Sequence, residues 1–472
     1  MVTTARDLPD DVLAAVLRRL APRGVAASRC VCRSWRDAID ARRLLRADLL
    51  PLSVGGIFME YCALYSPEFL SRPSAAAAPI SAGLDFMPSV RRVLSHCGGL
   101  LLCERYGHER YYVVANPATR QFARLPPPTP PPPQPSSASG VIVEACFDKD
   151  AAACLVYDPT ASPHYEVFLV PLLRVLAEKH EARLRLHPHP EPLRSEWPPL
   201  SCTMRVFSSA TRRWREQTFL RVGEAAGTLA AMEPSYWWDM PGRNAYWRRA
   251  LYVRCRGDRF ITRISLSDAK YQIVNTPRDK TYLSFLGRSE KGVYCATSDG
   301  FHELSIWHLS ESYGGQMEWV LKHHVNLMAF SRKLHALEDY HKQNRGPWIL
   351  QDINYRKCSH KADDYVAVEE AEFEWDSDND DVLDTSDMAE GNYTGYTGVL
   401  GFHPYKEVIF LNASLRRGVA YHWNTSKFQD LGNIWPKDYA ELAGEWADLE
   451  MSFIYTPCWL EEFYGNNFED QK

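Results

Sequence analysis

The chain has 472 residues, 45% hydrophobic and 12% aromatic, which excludes a largely disordered protein and leaves room for a small module beside a large domain. Its formal charge of −5 lacks the basic excess of a nucleic-acid binder. No apolar run approaches the roughly 18 residues of a membrane span and no basic-then-apolar leader is visible, so neither nucleic acid nor membrane is expected as a partner. A cytoplasmic or nuclear setting is expected, with the 12 cysteines as reduced thiols.

Leu8-Pro9-Asp10-Asp11-Val12-Leu13 opens the first pattern. Pro9 suits a first helical position, and Asp10 and Asp11 suit the positive end of a helix dipole. Val12, Leu13, Val16, Leu17 and Leu20 recur as one broad apolar face. Pro22-Arg23-Gly24 breaks the chain, and a second apolar helix is expected from about Val25 through Trp35 and Ile39 to Leu44. Helices shorter than roughly 12–15 residues are marginal alone, so this segment needs a partner surface. With Cys30-Val31-Cys32-Arg33-Ser34-Trp35-Arg36 closing it, the ordered set resembles an F-box, the module that joins a substrate receptor to the Skp-type adaptor of a cullin ubiquitin ligase. The resemblance implies that Leu8, Pro9, Leu13, Leu17, Leu20, Val31 and Trp35 face the adaptor or form the motif's core. It places an all-α domain at residues 1–48.

Beyond it the chain reads as β. Strands are expected at Gly99–Cys103, Tyr111–Ala115, Val141–Phe147, Tyr165–Val170, Leu251–Cys255, Phe260–Leu266, Val293–Thr297, Val408–Asn412 and Ser452–Tyr455. Turn signals such as Asn116-Pro117, Asp158-Pro159 and Asp299-Gly300 separate them. A small polar residue stands three positions before an aromatic at Thr119/Phe122, Ser162/Tyr165, Thr211/Trp214, Asp268/Tyr271 and Thr425/Phe428. The first four aromatics fall at the spacing of propeller blades, about 40–50 residues. Ser95-His96-Cys97-Gly98-Gly99-Leu100, Asn116-Pro117-Ala118-Thr119-Arg120 and Ser208-Ser209-Ala210-Thr211-Arg212-Arg213-Trp214 resemble plant F-box-associated domains. Glu374-Trp375-Asp376-Ser377-Asp378 and Gly401-Phe402-His403-Pro404-Tyr405 are similar to those of grass F-box proteins. The expected fold is a small all-α F-box followed, over residues 49–472, by a large all-β domain, a β-propeller of about six to eight blades of irregular size.

Two segments of biased composition interrupt this domain. Pro126–Pro135 holds eight prolines in ten residues and reads, through 140, as a stiff surface loop with polyproline character. Residues 363–390 carry 13 acidic side chains and no Lys or Arg, leaving 54 basic against 46 acidic residues elsewhere. Asp376, Asp378, Asp380 and Asp387 fall at calcium-loop spacing, but Asp381 stands where the sharp turn wants glycine, so a solvated loop is the plainer reading. Cys30/Cys32 and Cys358/His360 lack the second half of a zinc site. No metal and no cofactor are expected.

Signatures of nucleophilic, nucleotide-binding and zinc-hydrolase chemistry are missing, so no catalytic residue is assigned. Glu166, Asp239 and Glu303 are carboxylates of the kind a propeller glycosidase would pair, without a feature that selects them. The stretch Tyr236–Arg249 mixes aromatics with arginine, the residues that dominate interface hot spots. Tyr236, Trp238, Arg243, Tyr246 and Arg248 are its candidate recognition residues, with packing between blades as the competing role of Trp237 and Trp247. The expected function is the substrate-recognition subunit of an SCF-type ubiquitin ligase. Its partners would be a Skp-type adaptor, a cullin through it, and a protein target. A scaffold without ubiquitination and a propeller carbohydrate-active enzyme are the alternatives.

Overall fold

The computed structural model describes residues 10–20, 54–72, 80–87, 92–105, 111–128, 152–171, 195–228, 244–254, 260–277, 283–299, 302–312, 315–328, 330, 347–358 and 396–459, with parts of 25–44. Two helices come first, α1 (Asp10–Leu17) and α2 (Arg33–Ala41). Leu13 and Leu17 of α1 are buried against Val25 and against Ala38 and Ile39 of α2, with Trp35 and Leu44 closing the edge. The helix expected from Val25 is interrupted. The Val31 N–H donates to the Ser28 carbonyl at 3.2 Å in a tight turn before α2 begins, where Cys-Val-Cys offers little helix propensity.

Four-stranded antiparallel units then follow one another. β1 (Gly56–Tyr61) and β2 (Glu68–Ser71) form a hairpin. β3 (Arg92–Cys97), β4 (Leu100–Arg105), β5 (Tyr111–Asn116) and β6 (Gln121–Arg124) make a meander. The next unit is β7 (Ala152–Val156), β8 (Glu166–Val170), β10 (Ser201–Ser208) and β11 (Arg213–Val222), beside a small pair, β9 (Glu196–Trp197) and β12 (Gly227–Thr228). It is followed by β13 (Asn244–Trp247), β14 (Ala250–Arg254), β15 (Phe260–Ser265) and β16 (Lys270–Asn275). A short parallel pairing of Leu220–Val222 with Lys270–Gln272 joins these two units into one eight-stranded sheet. β17 (Leu283–Ser289), β18 (Gly292–Ser298), β19 (Glu303–Glu311) and β20 (Met317–Asn326) form the fifth unit. After β21 (Ile349–Leu350) and α3 (Ile353–Cys358) come β22 (Thr397–Phe402), β23 (Val408–Ala413), β24 (Arg417–His422) and β25 (Lys427–Asn433), the sixth. Helix α4 (Tyr439–Ala443) and a 3-10 turn (Gly444–Trp446) lead to β26 (Leu449–Tyr455).

Closure comes from β26, which returns to pair with β1 from Gly56 opposite Tyr455 onward, giving the first unit the order β21-β2-β1-β26. Among the described residues, six apolar cores lie between successive units. Phe58 and Phe453 meet Leu101 and Val113 between the first and second. Leu102 and Val114 meet Leu155 and Val167 between the second and third. Phe168 and Phe219 face Leu251 and Ile264, and Tyr252 and Ile261 face Leu286 and Val293, at the next two junctions. Tyr294 and Ile306 meet Phe402 and Tyr421, and Phe410 and Leu431 meet Ile57 and Met59, closing the circle. Among the described residues, the β domain is a propeller-like ring of six units.

The aromatic repeat has a definite place in this ring. Thr119/Phe122, Thr211/Trp214, Asp268/Tyr271 and Thr425/Phe428 all mark the turn into a unit's fourth strand. The intervening Arg120, Arg212, Ala269 and Ser426 are left-handed there, with φ of 58°, 55°, 54° and 54°. Ser162/Tyr165 differs, because Tyr165 precedes the second strand of its unit. Pro126–Pro128 run along the surface, where the Trp214 indole N–H donates to the Pro126 carbonyl at 2.7 Å. The expected strand at Val141–Phe147, the rest of the proline segment and the acidic segment lie outside the described residues.

Candidate functional site

On the helical module, packing divides the apolar positions into two sets. Leu13 and Leu17 are 2% and 0% exposed and fill the core. Val12, Val16, Leu20 and Val31 are 46%, 48%, 42% and 60% exposed. Val12 and Val16 lie four residues apart on the exposed side of α1, and Leu20 extends the exposed set into the turn that follows the helix. Leu8 and Pro9 lie outside the described residues, and Trp35 is half-buried against the core. Val12 and Val16 were absent from the candidate residues read from sequence. The signal was present in the breadth of the apolar face, which is wider than an eight-residue helix packed on one neighbour can bury. Asp11 is ion-paired to Arg42, tying the start of α1 to the end of α2.

The aromatic-basic stretch of the ring is described from Asn244 onward. Tyr236, Trp238, Arg243 and the carboxylate Asp239 fall outside. Tyr246 lies on β13, and Trp247 packs against the core between the fourth and fifth units. Arg248 is left-handed in the β13–β14 turn, its guanidinium 5.5 Å from the Trp247 ring centre. Glu166 is ion-paired to Arg215 at 2.9 Å in the third unit, whereas Glu303 belongs to the fifth, so the structure does not bring these two together.

Strands β3, β13, β17, β22 and β26, one from each of five units, border a partly open cavity of about 90 Å³. Ser95 and His96 of β3, Asn244 and Tyr246 of β13 and Arg288 of β17 stand on its wall. The His96 ring stacks on Phe453, with centres 4.4 Å apart. Desolvation, and then the positive field of Arg288, lowers its pKa from 6.5 to about 4, so it stays neutral. Near the other end of β3, Glu60 accepts the Val93 N–H at 2.6 Å, and Arg92 lies 3.7 Å from both Glu60 and Glu450. Burial raises the Glu60 carboxyl from 4.5 to about 7, against the lowering effects of that hydrogen bond and of Arg92. The thiols of Cys103 and Cys154 are pushed up by burial, as is Cys202, to about 11. Among the described residues no group of three or more His, Cys, Asp or Glu side chains is placed to hold a metal ion. Among them, too, no helix is long and apolar enough to cross a membrane.

Comparison with known families decides what the helical module is. Residues 6–47 match the F-box domain. The F-box core of Leu13, Leu17, Val25 and Ile39 and the exposed set both lie inside that match. No curated protein sequence matches the chain. Among solved structures, "YCF48 from Cyanidioschyzon merolae" is similar at 7% identity and a TM-score of 0.35, covering 82% of this chain and 88% of that one. "YCF48 bound to D1 peptide" is similar at 6% identity and a TM-score of 0.30, over 81% and 82% of the two chains. AztD of Citrobacter koseri is similar at 8% identity and 0.28, over 74% and 72%.

Proposed function

We propose that this protein is the substrate-recognition subunit of an SCF-type ubiquitin ligase, with an F-box domain at residues 1–48 and a propeller-like target-binding domain at 49–472. The observation that carries this reading is an F-box with a filled core that still presents Val12, Val16, Leu20 and Val31 to solvent. Burying each half-exposed side chain under a Skp-type adaptor contributes about 1 kcal/mol, and the adaptor links the chain to a cullin. The ring then holds a protein target, and proximity raises the effective concentration of the target's lysines at the ubiquitin-loaded enzyme. The receptor performs no bond chemistry itself, and it works in the cytoplasm or nucleus. The motifs shared with plant F-box-associated domains support the same architecture.

The test is co-purification with a Skp-type adaptor. The double substitutions Val12→Glu/Val16→Glu and Leu8→Ala/Pro9→Ala are each expected to lower adaptor capture at least tenfold, about 1.4 kcal/mol or more, while the β domain keeps its circular-dichroism spectrum. Undiminished capture by both variants would defeat the reading.

A further inference from the structure

The cavity bordered by β3, β13, β17, β22 and β26 has a feature that the ligase reading does not use. Among the described residues on its wall, Arg288 alone carries a fixed charge, and among the described residues no carboxylate pairs with it. Arg288 belongs to the fifth unit, yet its field acts on His96 and Cys97 of the second, the unit opposite in a ring of six. Arg288 itself lines the cavity. Asp158 influences Cys97 and Tyr246 from outside the wall, but its Oδ1 accepts from the Thr160 N–H at 3.0 Å and the Thr160 hydroxyl at 2.6 Å in a local turn. On the remaining wall, the Ser95 hydroxyl donates to Asn244 Oδ1 at 3.3 Å, a bond that does not use the amide nitrogen of Asn244, itself a wall residue. Phe285, Phe402 and Phe453 line the apolar part.

We propose that this cavity is a receptor for a carboxylate, with Arg288 as counter-ion and Asn244 as a flanking donor. Arg288 is half-buried on the cavity wall, so its guanidinium is partly stripped of water, and a carboxylate matches its fork with two parallel hydrogen bonds. One positive charge balances one negative charge. A phosphate monoester, at about −1.5 to −2, would keep uncompensated charge, because His96 remains neutral. Size points the same way. A cavity of about 150 Å³ holds benzene, so about 90 Å³ suits a carboxylate on one or two carbons, with the phenylalanines around the carbons. Such a group is either a free short-chain acid or the carboxylate end of a polypeptide. The inference does not depend on the F-box.

Calorimetric titration of the full-length protein with acetate, propionate, inorganic phosphate and a short peptide, with a free or an amidated C-terminus, tests this. Acetate and propionate are expected to bind, phosphate more weakly than either. Arg288→Gln is expected to weaken binding by about tenfold or more, the loss of a charge-assisted pair, and Arg288→Lys by less. Tighter binding of the free-ended peptide than of propionate, abolished by amidation, identifies a polypeptide source. Equal or weaker peptide binding identifies a free acid. If Arg288→Gln does not fold, Asn244→Ala replaces it and is expected to weaken propionate several-fold. The proposal is overturned if wild type binds no carboxylate at millimolar concentration, if phosphate binds more tightly than acetate, or if neither a folded Arg288→Gln nor Asn244→Ala weakens carboxylate binding.

Discussion

Glu68 is fully enclosed, yet its carboxylate accepts three hydrogen bonds, from the Ile353 N–H at 2.6 Å, the Asn354 N–H at 2.9 Å and the Asn354 side-chain amide at 2.7 Å. Asn354 in turn accepts the N–H groups of Tyr65 and Ser66 at 3.2 and 3.0 Å. One acid thus satisfies the start of α3 and clamps it to the first unit of the ring. Glu68→Ala leaves those donors buried and unpaired, which costs about 1–3 kcal/mol per group; we expect a loss of about 3 kcal/mol in urea denaturation, with Glu68→Gln recovering part of it. A loss below 1 kcal/mol would show that water replaces the carboxylate. This clamp was illegible in the sequence. Its partners are 285 and 286 residues apart, and a lone Glu before a Phe-Leu pair carries no mark of what it meets. Arg288 was equally hidden, since its role follows from facing strands whose order only the ring defines.

Elements were more legible, and the reason is local. The strands at Leu100–Arg105, Tyr111–Asn116, Gly292–Ser298 and Val408–Ala413 are dense in aliphatic and aromatic residues between turn formers, a pattern set by immediate neighbours. The polar-to-aromatic repeat was visible, but its meaning was not. It marks a left-handed residue before an outer strand, a conformation that costs a side chain about 1–2 kcal/mol. Ala269→Gly is therefore expected to be neutral or to stabilise by up to about 1 kcal/mol, after the larger chain entropy of glycine is subtracted. Ala269→Val should destabilise by at least about 1 kcal/mol. Equal melting temperatures for the two variants would contradict that turn geometry. In the F-box the same contrast separates core from surface. Leu17→Ala is expected to cost about 2–5 kcal/mol of module stability, whereas Val16→Glu should leave stability within about 0.5 kcal/mol and act on adaptor binding. Sequence periodicity alone merged the two faces, because both are apolar.

At the scale of the whole molecule the ring depends on contacts between distant parts of the chain. β26 closes the first unit with β1, and the two-residue β21 edges it from between the fifth and sixth units, pairings that no local pattern announces. The inner ring also holds two ionisable groups with opposite linkage to pH. Glu60 has its folded value raised from 4.5 to about 7, so the folded state binds the extra proton between those limits. Its contribution to stability is complete below pH 4.5 and is lost as pH rises through 7, about 3 kcal/mol in all. His96 has its folded value lowered from 6.5 to about 4, so the unfolded state binds the extra proton there. That contribution is complete above pH 6.5 and is lost as pH falls toward 4. The two slopes overlap between about pH 4.5 and 6.5 and oppose each other, so the contributions of Glu60 and His96 largely cancel there. Glu60→Gln keeps an acceptor for the Val93 N–H but removes the titration, which should uncover the histidine slope: stability falling as pH drops from 6.5 toward 4. His96→Phe, which retains the stack on Phe453, should uncover the opposite slope, with stability falling as pH rises from 4.5 to 7. Urea midpoints at half-unit pH intervals measure both, and parallel profiles for wild type and the two variants would show that neither group is held in the protonation state its surroundings dictate.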